Sequence, residues 1–252
     1  MKAMVFAAGY GERLRPLTEK LPKALVPVAG RPMIEYSLCL LRHYGIREII
    51  INLHHLGEMI EEHLKDGKKL GLKITYSREK ELLDTGGGLL QARAFLEDRP
   101  FIAINSDVMI DLPLADLFDE HRRHKATATL VLRSDRRAAS YGTIATSRDS
   151  RIQSFLGHRA PRSHTVGPLA EFMFTGVQYL NPRVFDYLAS DSSISPGGFS
   201  ITKSTYPKML TQGELLYGFP FEGYWQDLGT TDRIREAEER LATCDVTLHY
   251  LD

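Results

Sequence analysis

A chain of 252 residues is long enough for one large α/β domain or two small ones, and 43% hydrophobic with 25% charged residues is an ordinary globular mix. Lys plus Arg equals Asp plus Glu at 32 each, which excludes a global field drawing the chain to nucleic acid or to a membrane surface. No apolar run approaches the roughly 18–20 residues that span a bilayer, and Cys39 and Cys244 stand in no CxxC or His/Cys spacing, so free buried thiols in a reducing compartment are expected.

In chain order, KAMVFAA (2–8) is a continuous apolar run ended by glycine, as a central parallel strand requires. With it, the N-terminus reads as a buried strand rather than a signal peptide, and a cytoplasmic protein is expected. PMIEYSLCLLRHYG (32–45) predicts a helix with Pro32 in its first turn and Gly45 as its stop. EIIINL (48–53) predicts a second strand, LGEMIEEHLKDG (56–67) an amphipathic helix and LKITYS (72–77) a third strand. TGGGLLQARAFL (85–96) opens a helix through three glycines, and PFIAINSDV (100–108) predicts a fourth strand running into an acidic turn. This alternation argues for a doubly wound sheet.

Beyond it the pattern changes. A helix is expected around 113–124, a strand over 126–133 and a hairpin over 141–156. A strand over 171–180 and helices over 182–190 and 230–242 follow, and 157–170 is the best candidate for a mobile loop. One domain over 1–252 is expected, in halves 1–110 and 111–252.

The first loop, AAGYGERLRPLT (7–18) followed by LPKALVPV (21–28), gathers cations in a chain with no net charge. Glycines after a strand let the backbone approach a ligand and point N–H groups into a nest, and the positive side chains suit a polyphosphate. A dinucleotide fingerprint fails because Leu14 stands where its third glycine would be, and a P-loop fails because Arg-Leu-Arg replaces Gly-Lys-Ser/Thr.

What remains, G-x-G-x-R-x-x-P-L-T with P-K-x-L-x-P-V, resembles the signature of the sugar-1-phosphate nucleotidyltransferases. The resemblance extends through GRPMIEY (30–36), LLDTGGGL (82–89), INSDV (104–108) and GYWQDLGTTDRI (223–234). It is similar above all to the N-acetylmuramate-1-phosphate uridylyltransferases, with which it shares a Thr-Gly-Gly-Gly turn. Mannose-1-phosphate guanylyltransferases and glucose-1-phosphate thymidylyl- or uridylyltransferases come next.

The resemblance implies a Rossmann-like doubly wound mixed sheet of the nucleotide-diphospho-sugar transferase type, in three layers. It also implies an NDP-sugar product, made for the cell envelope, from a sugar-1-phosphate and UTP, GTP or dTTP. Arg13 and Lys23 are then phosphate-binding cations, and Asp107 is catalytic, binding Mg²⁺ together with Asp227. Ala8, Gly9, Gly11, Asp84, Thr85, Gly86 and Asn105 are nucleotide contacts, although Thr85 also reads as an ordinary helix N-cap, and Glu171 is a sugar contact. No nucleic acid or membrane partner is expected, and both monomer and homodimer stay open.

The chemistry fits the residue types. A sugar phosphate is already an anion and needs no general base; the obstacle is repulsion between polyanions, which cations and positioning relieve. One departure is FLGHRAP (155–161), where Gly157 and His158 replace the family's Glu-Lys pair. His158 or Arg159 is a substitute cation there, and Lys203 in FSITK (199–203) reads either as a further cation for sugar or phosphate or as a surface lysine. The loss leaves a catalytically weak, sugar-nucleotide-binding regulatory protein as the alternative. A nicotinamide-dependent dehydrogenase is disfavoured by Leu14.

Overall fold

The computed structural model describes residues 1–135, 142–161, 168–192 and 198–251. The chain forms two compact units. The first is Met1–Leu82, Ala103–Leu112 and Gly223–Asp252, and the second is Leu83–Ile102 and Pro113–Glu222. The halves expected from the sequence, cut at residue 110, are not these units, because the chain leaves the first unit and returns to it twice.

The first unit opens with β1 (Lys2–Phe6), whose Ala3, Met4 and Val5 are fully buried, and a loop of three short 3₁₀ turns. A small hairpin, β2 (Pro27–Val28) with β3 (Arg31–Pro32), leads into α1 (Met33–His43). Pro32 therefore ends a strand ahead of the helix instead of lying in its first turn. Gly45, at φ 74°, stops the helix as expected. Then come β4 (Glu48–Leu53), α2 (Gly57–Leu64) and β5 (Lys73–Arg78). β1 pairs with β4, and β4 with β5, all parallel, with Phe6 opposite Asn52 and Asn52 opposite Ser77. Ile49 and Ile51 are fully buried, as befits strands covered on both faces. α2 ends three residues before Gly67, where Lys65 takes a positive φ of 51°.

The chain next forms α3 (Asp84–Gln91) and α4 (Arg93–Leu96) in the second unit, a break at Ala92 in what the sequence pattern shows as one helix. It returns along β6 (Phe101–Asn105), turns at Ser106–Asp107 and continues as β7 (Val108–Ile110). The fourth strand thus ends three residues early, because β7 departs to pair elsewhere.

The second unit resumes with α5 (Leu114–His124) and is built around β8 (Ala128–Arg133). The predicted hairpin is β9 (Ile144–Thr146) antiparallel to β10 (Ile152–Phe155), and the two-residue β11 (His158–Arg159) follows. β12 (Ala170–Leu180) runs antiparallel to both β8 and β9. After α6 (Val184–Ser192), a π-helical turn over Ile201–Thr205 and α7 (Tyr206–Thr211), β13 (Leu216–Pro220) pairs with β8 in parallel. Leu130, Met173, Val177, Phe185 and Tyr206 form its buried centre. Of the stretch 157–170, expected to be mobile, residues 162–167 lie outside the described residues.

β14 (Trp225–Asp227) and α8 (Thr231–Ala242) complete the first unit. Val246, Leu248 and Tyr250 of the tail are buried in alternation. Both units are mixed α/β, in agreement with the expected class. Cys39 is buried, whereas Cys244 is exposed, which corrects the expectation of two buried thiols. Among the described residues, no helix is long and apolar enough to cross a membrane.

Candidate active site

The loop after β1 is fixed from below by polar bonds. Asn52 Oδ1 accepts from the Ala7 N–H at 2.9 Å, and Asn52 Nδ2 donates to Glu79 Oε1 at 2.8 Å, with Asn52 and Glu79 both buried. One amide therefore ties together the ends of β1, β4 and β5. Leu14, 1% exposed, anchors the loop so that Arg13 beside it faces outward. Gly11 takes a left-handed φ of 68°, and a Cβ there would lie 2.8 Å from Thr18 Cγ2. Gly9 has no such constraint: a Cβ would meet nothing within 4 Å. Its surroundings leave Gly9 open to close approach, beside the buried Ala8.

The acids converge. β7 and β14 are antiparallel with Asp227 directly opposite Val108, and Leu228 N–H donates to Asp107 O at 2.9 Å. Asp227, at the end of β14, and Asp107, in the turn that precedes β7, are thus neighbours along the backbone although far apart in the chain. Lys23 Nζ donates to Asp107 Oδ2. Arg233 Nη1 lies 2.7 Å from Asp227 Oδ2, Arg13 Nη2 lies 3.9 Å from Asp227 Oδ1, and Gly229 N–H donates to that Oδ1 at 2.6 Å. A side chain at Gly229 would collide with the Arg13 guanidinium. Lys23 is therefore paired with Asp107, and Arg13 and Arg233 lie on Asp227.

As a metal site the pair is incomplete in a telling way. Among the described residues, no three His, Cys, Asp or Glu are gathered as ligands. Two hard carboxylates, completed by water and substrate oxygens, are nevertheless the type of donor set that suits Mg²⁺, which rarely occupies an all-protein cage. The residues fit that ion.

The remaining predicted residues lie as follows. Asn105 ends β6, half-buried, within the first unit. Asp84, Thr85 and Gly86 stand together at the start of α3 in the second unit. Thr85 Oγ1 accepts from the Ile201 N–H at 3.1 Å and Gly86 N–H donates to Phe199 O at 2.9 Å. Thr85 is thus not the helix N-cap, since α3 starts one residue earlier at Asp84, with Leu83 as its cap. Asp84 holds a positive φ of 56° and accepts from the Thr85 N–H at 2.6 Å. Glu171 is exposed on β12, opposite Ala145. His158, Arg159 and Lys203 are all exposed.

Sequence reasoning missed Arg233, which lies inside the quoted WQDLGTTDRI stretch. It also missed Asn52 and the Tyr10–His54 contact, in which the Tyr10 hydroxyl and His54 Nε2 are 3.1 Å apart. His54 Nδ1 faces Glu79 O at 3.1 Å, and a carbonyl only accepts, so Nδ1 carries a proton, and in the neutral ring Tyr10 donates to Nε2.

Comparison with known proteins gives the family and the fold. The family model described as Nucleotidyl transferase matches residues 2–243. A UTP–glucose-1-phosphate uridylyltransferase of Synechocystis is 32% identical over 91% of this chain and 60% of its own length. A mannose-1-phosphate guanyltransferase of Yarrowia lipolytica is 36% identical over 91% of this chain and 61% of its own length. The chain therefore spans about three fifths of the curated relatives it matches. Among solved structures, a Bacillus anthracis protein in complex with sucrose superposes with a TM-score of 0.80 at 23% identity, covering 98% of this chain and 96% of that one. HddC from Yersinia pseudotuberculosis, complexed with GMP-PN, gives a TM-score of 0.74 at 20% identity, over 95% of this chain and 99% of that one.

Proposed function

Since the chain belongs to the nucleotidyl transferase family, we propose that it joins a sugar-1-phosphate to the nucleotidyl part of a nucleoside triphosphate. The observation that carries the proposal is the register of β7 and β14, which sets Asp227 beside the Asp107 turn with Lys23 and Arg13 on the same acids.

In the reaction a phosphate oxygen of the sugar bonds to the α-phosphorus as the bond to the bridging oxygen of the β-phosphate breaks, and pyrophosphate leaves. The backbone at Ala8–Gly9 admits the triphosphate closely, and Gly9 carries no side chain to obstruct it. Arg13 offers a planar, bidentate contact to the outer phosphates, and Lys23 a point charge for the α-phosphate. Both cations offset charge that repels the nucleophile and grows on the leaving group. Asp107 and Asp227 would hold Mg²⁺, which when bound neutralises phosphate charge. Asp84, Thr85, Gly86 and Asn105 are proposed nucleotide contacts and Glu171 a sugar contact.

For the substrates, UTP with N-acetylmuramate-1-phosphate rests on the Thr85–Gly88 run. The names of the relatives favour a second reading, glucose-1-phosphate with UTP or mannose-1-phosphate with a guanine nucleotide. A cytoplasmic setting is supported by two free cysteines, one of them exposed.

The test is a panel of UTP, GTP and dTTP crossed with the three sugar-1-phosphates, read as pyrophosphate release. Turnover of one pair is expected, abolished in Asp107→Asn and in Asp227→Asn with the melting transition retained. Turnover that persists in both variants sinks the assignment, and binding without turnover of any pair favours the regulatory alternative.

A further inference from the structure

The acids assigned to a divalent ion are each held by a cation in this structure. Lys23 is on Asp107 Oδ2, and Arg233 is on Asp227 Oδ2 at 2.7 Å. These are shielded pairs: the side chains are 15% and 21% exposed in the first and 19% and 13% in the second. Water screens them less than it screens a surface pair, so each cation is a real competitor for its carboxylate. The two cations differ in where they come from. Lys23 belongs to the loop after β1, within the stretch that receives the triphosphate, whereas Arg233 is carried by α8 and is outside that loop.

We propose that the two acids rest as ion pairs, Lys23 on Asp107 and Arg233 on Asp227, so that a divalent ion and the triphosphate must enter together. A triphosphate draws Lys23 off Asp107 and so frees an oxygen for the ion. Arg233 stays, and by occupying Oδ2 it fixes the Asp227 carboxylate with Oδ1 turned toward Arg13. Without nucleotide, an incoming double charge meets an ammonium already seated on Asp107, and the site declines it. The two ligands are then coupled, each improving the affinity of the other. Arg233 is in this sense a positioning residue. The inference rests on the metal reading of Asp107 and Asp227, and it adds the order in which the site fills.

The probe is Mn²⁺ alone, with the free ion followed by electron paramagnetic resonance on nucleotide-free protein. Lys23→Met is expected to tighten Mn²⁺ binding by about tenfold or more, as removal of a close like charge should. Adding Asp107→Asn to that variant is expected to cancel the gain. If Lys23→Met binds Mn²⁺ no better than wild type while Asp107→Asn weakens both, the coupling is refuted and the metal reading stands. If Asp107→Asn changes Mn²⁺ binding in neither background, the metal reading itself fails and takes the coupling with it. Arg233→Gln covers the case in which Lys23→Met does not fold. It too is expected to tighten Mn²⁺ binding in the nucleotide-free protein, and unchanged affinity there overturns the resting-pair proposal at Asp227.

Discussion

Gly9 and Gly11 stand two positions apart in one loop, yet different requirements hold them. Gly11 needs its left-handed φ of 68° and the space beside Thr18, both internal demands. Gly11→Ala is expected to cost about 1–3 kcal/mol in urea unfolding. Gly9 has no close neighbour, so Gly9→Ala should change stability by less than about 0.5 kcal/mol. It should nevertheless weaken triphosphate binding by calorimetry, because the added methyl stands where the ligand is proposed to pass. The motif names both glycines, but only the structure separates their reasons. Arg13, Lys23, Asp107 and Asp227 could be singled out because each sits in a stretch that resembles a family motif. Arg233 was not, although it lies six residues from Asp227. It reads as one more charge on an exposed helix face, and its partner is in a strand rather than at helical spacing.

At the scale of elements, β1, β4 and β5 were legible because continuous apolar runs between glycine and polar turns specify strands buried on both faces. β14 was not. Three residues, Trp225–Asp227, show no period, and their pairing with β7 is what sets Asp227 opposite Val108. The polar tie across β1, β4 and β5 is also invisible in any single run. Asn52 occupies the apolar position expected at that point of EIIINL, yet its amide serves Ala7 and Glu79. Asn52→Ala is expected to leave a buried N–H and a buried carboxylate oxygen without that partner, lowering stability by about 1–3 kcal/mol. A chemical denaturation series measures it, and triphosphate affinity should fall too, since the tie holds the start of the loop.

For the molecule as a whole, stability is expected to depend on pH through His121. Its ring is buried on α5 against Tyr179, with Nδ1 2.9 Å from Thr129 Oγ1. Burial pushes its pKa down from 6.5 to about 4. Below about pH 6.5 the unfolded chain takes up a proton that the folded ring refuses until about pH 4. The folded state is therefore penalised increasingly as pH falls through that window, and not at all above it. Between pH 7 and pH 5 this amounts to about 2 kcal/mol. Urea unfolding at the two pH values should show a larger loss for wild type than for His121→Gln.

The chain's path through two units explains what was and was not readable. Alternating strands and helices, the cationic glycine loop and the two aspartate motifs are properties of neighbouring residues, and the sequence alone determined them, together with the family they imply. Which residues meet was decided by the tertiary structure: Lys23 with Asp107, 84 positions on, and Asp227 with Val108 and Arg233. Local periodicity and turn chemistry act within a few residues, whereas these pairings follow from strand register, and register is set by packing summed over a whole core.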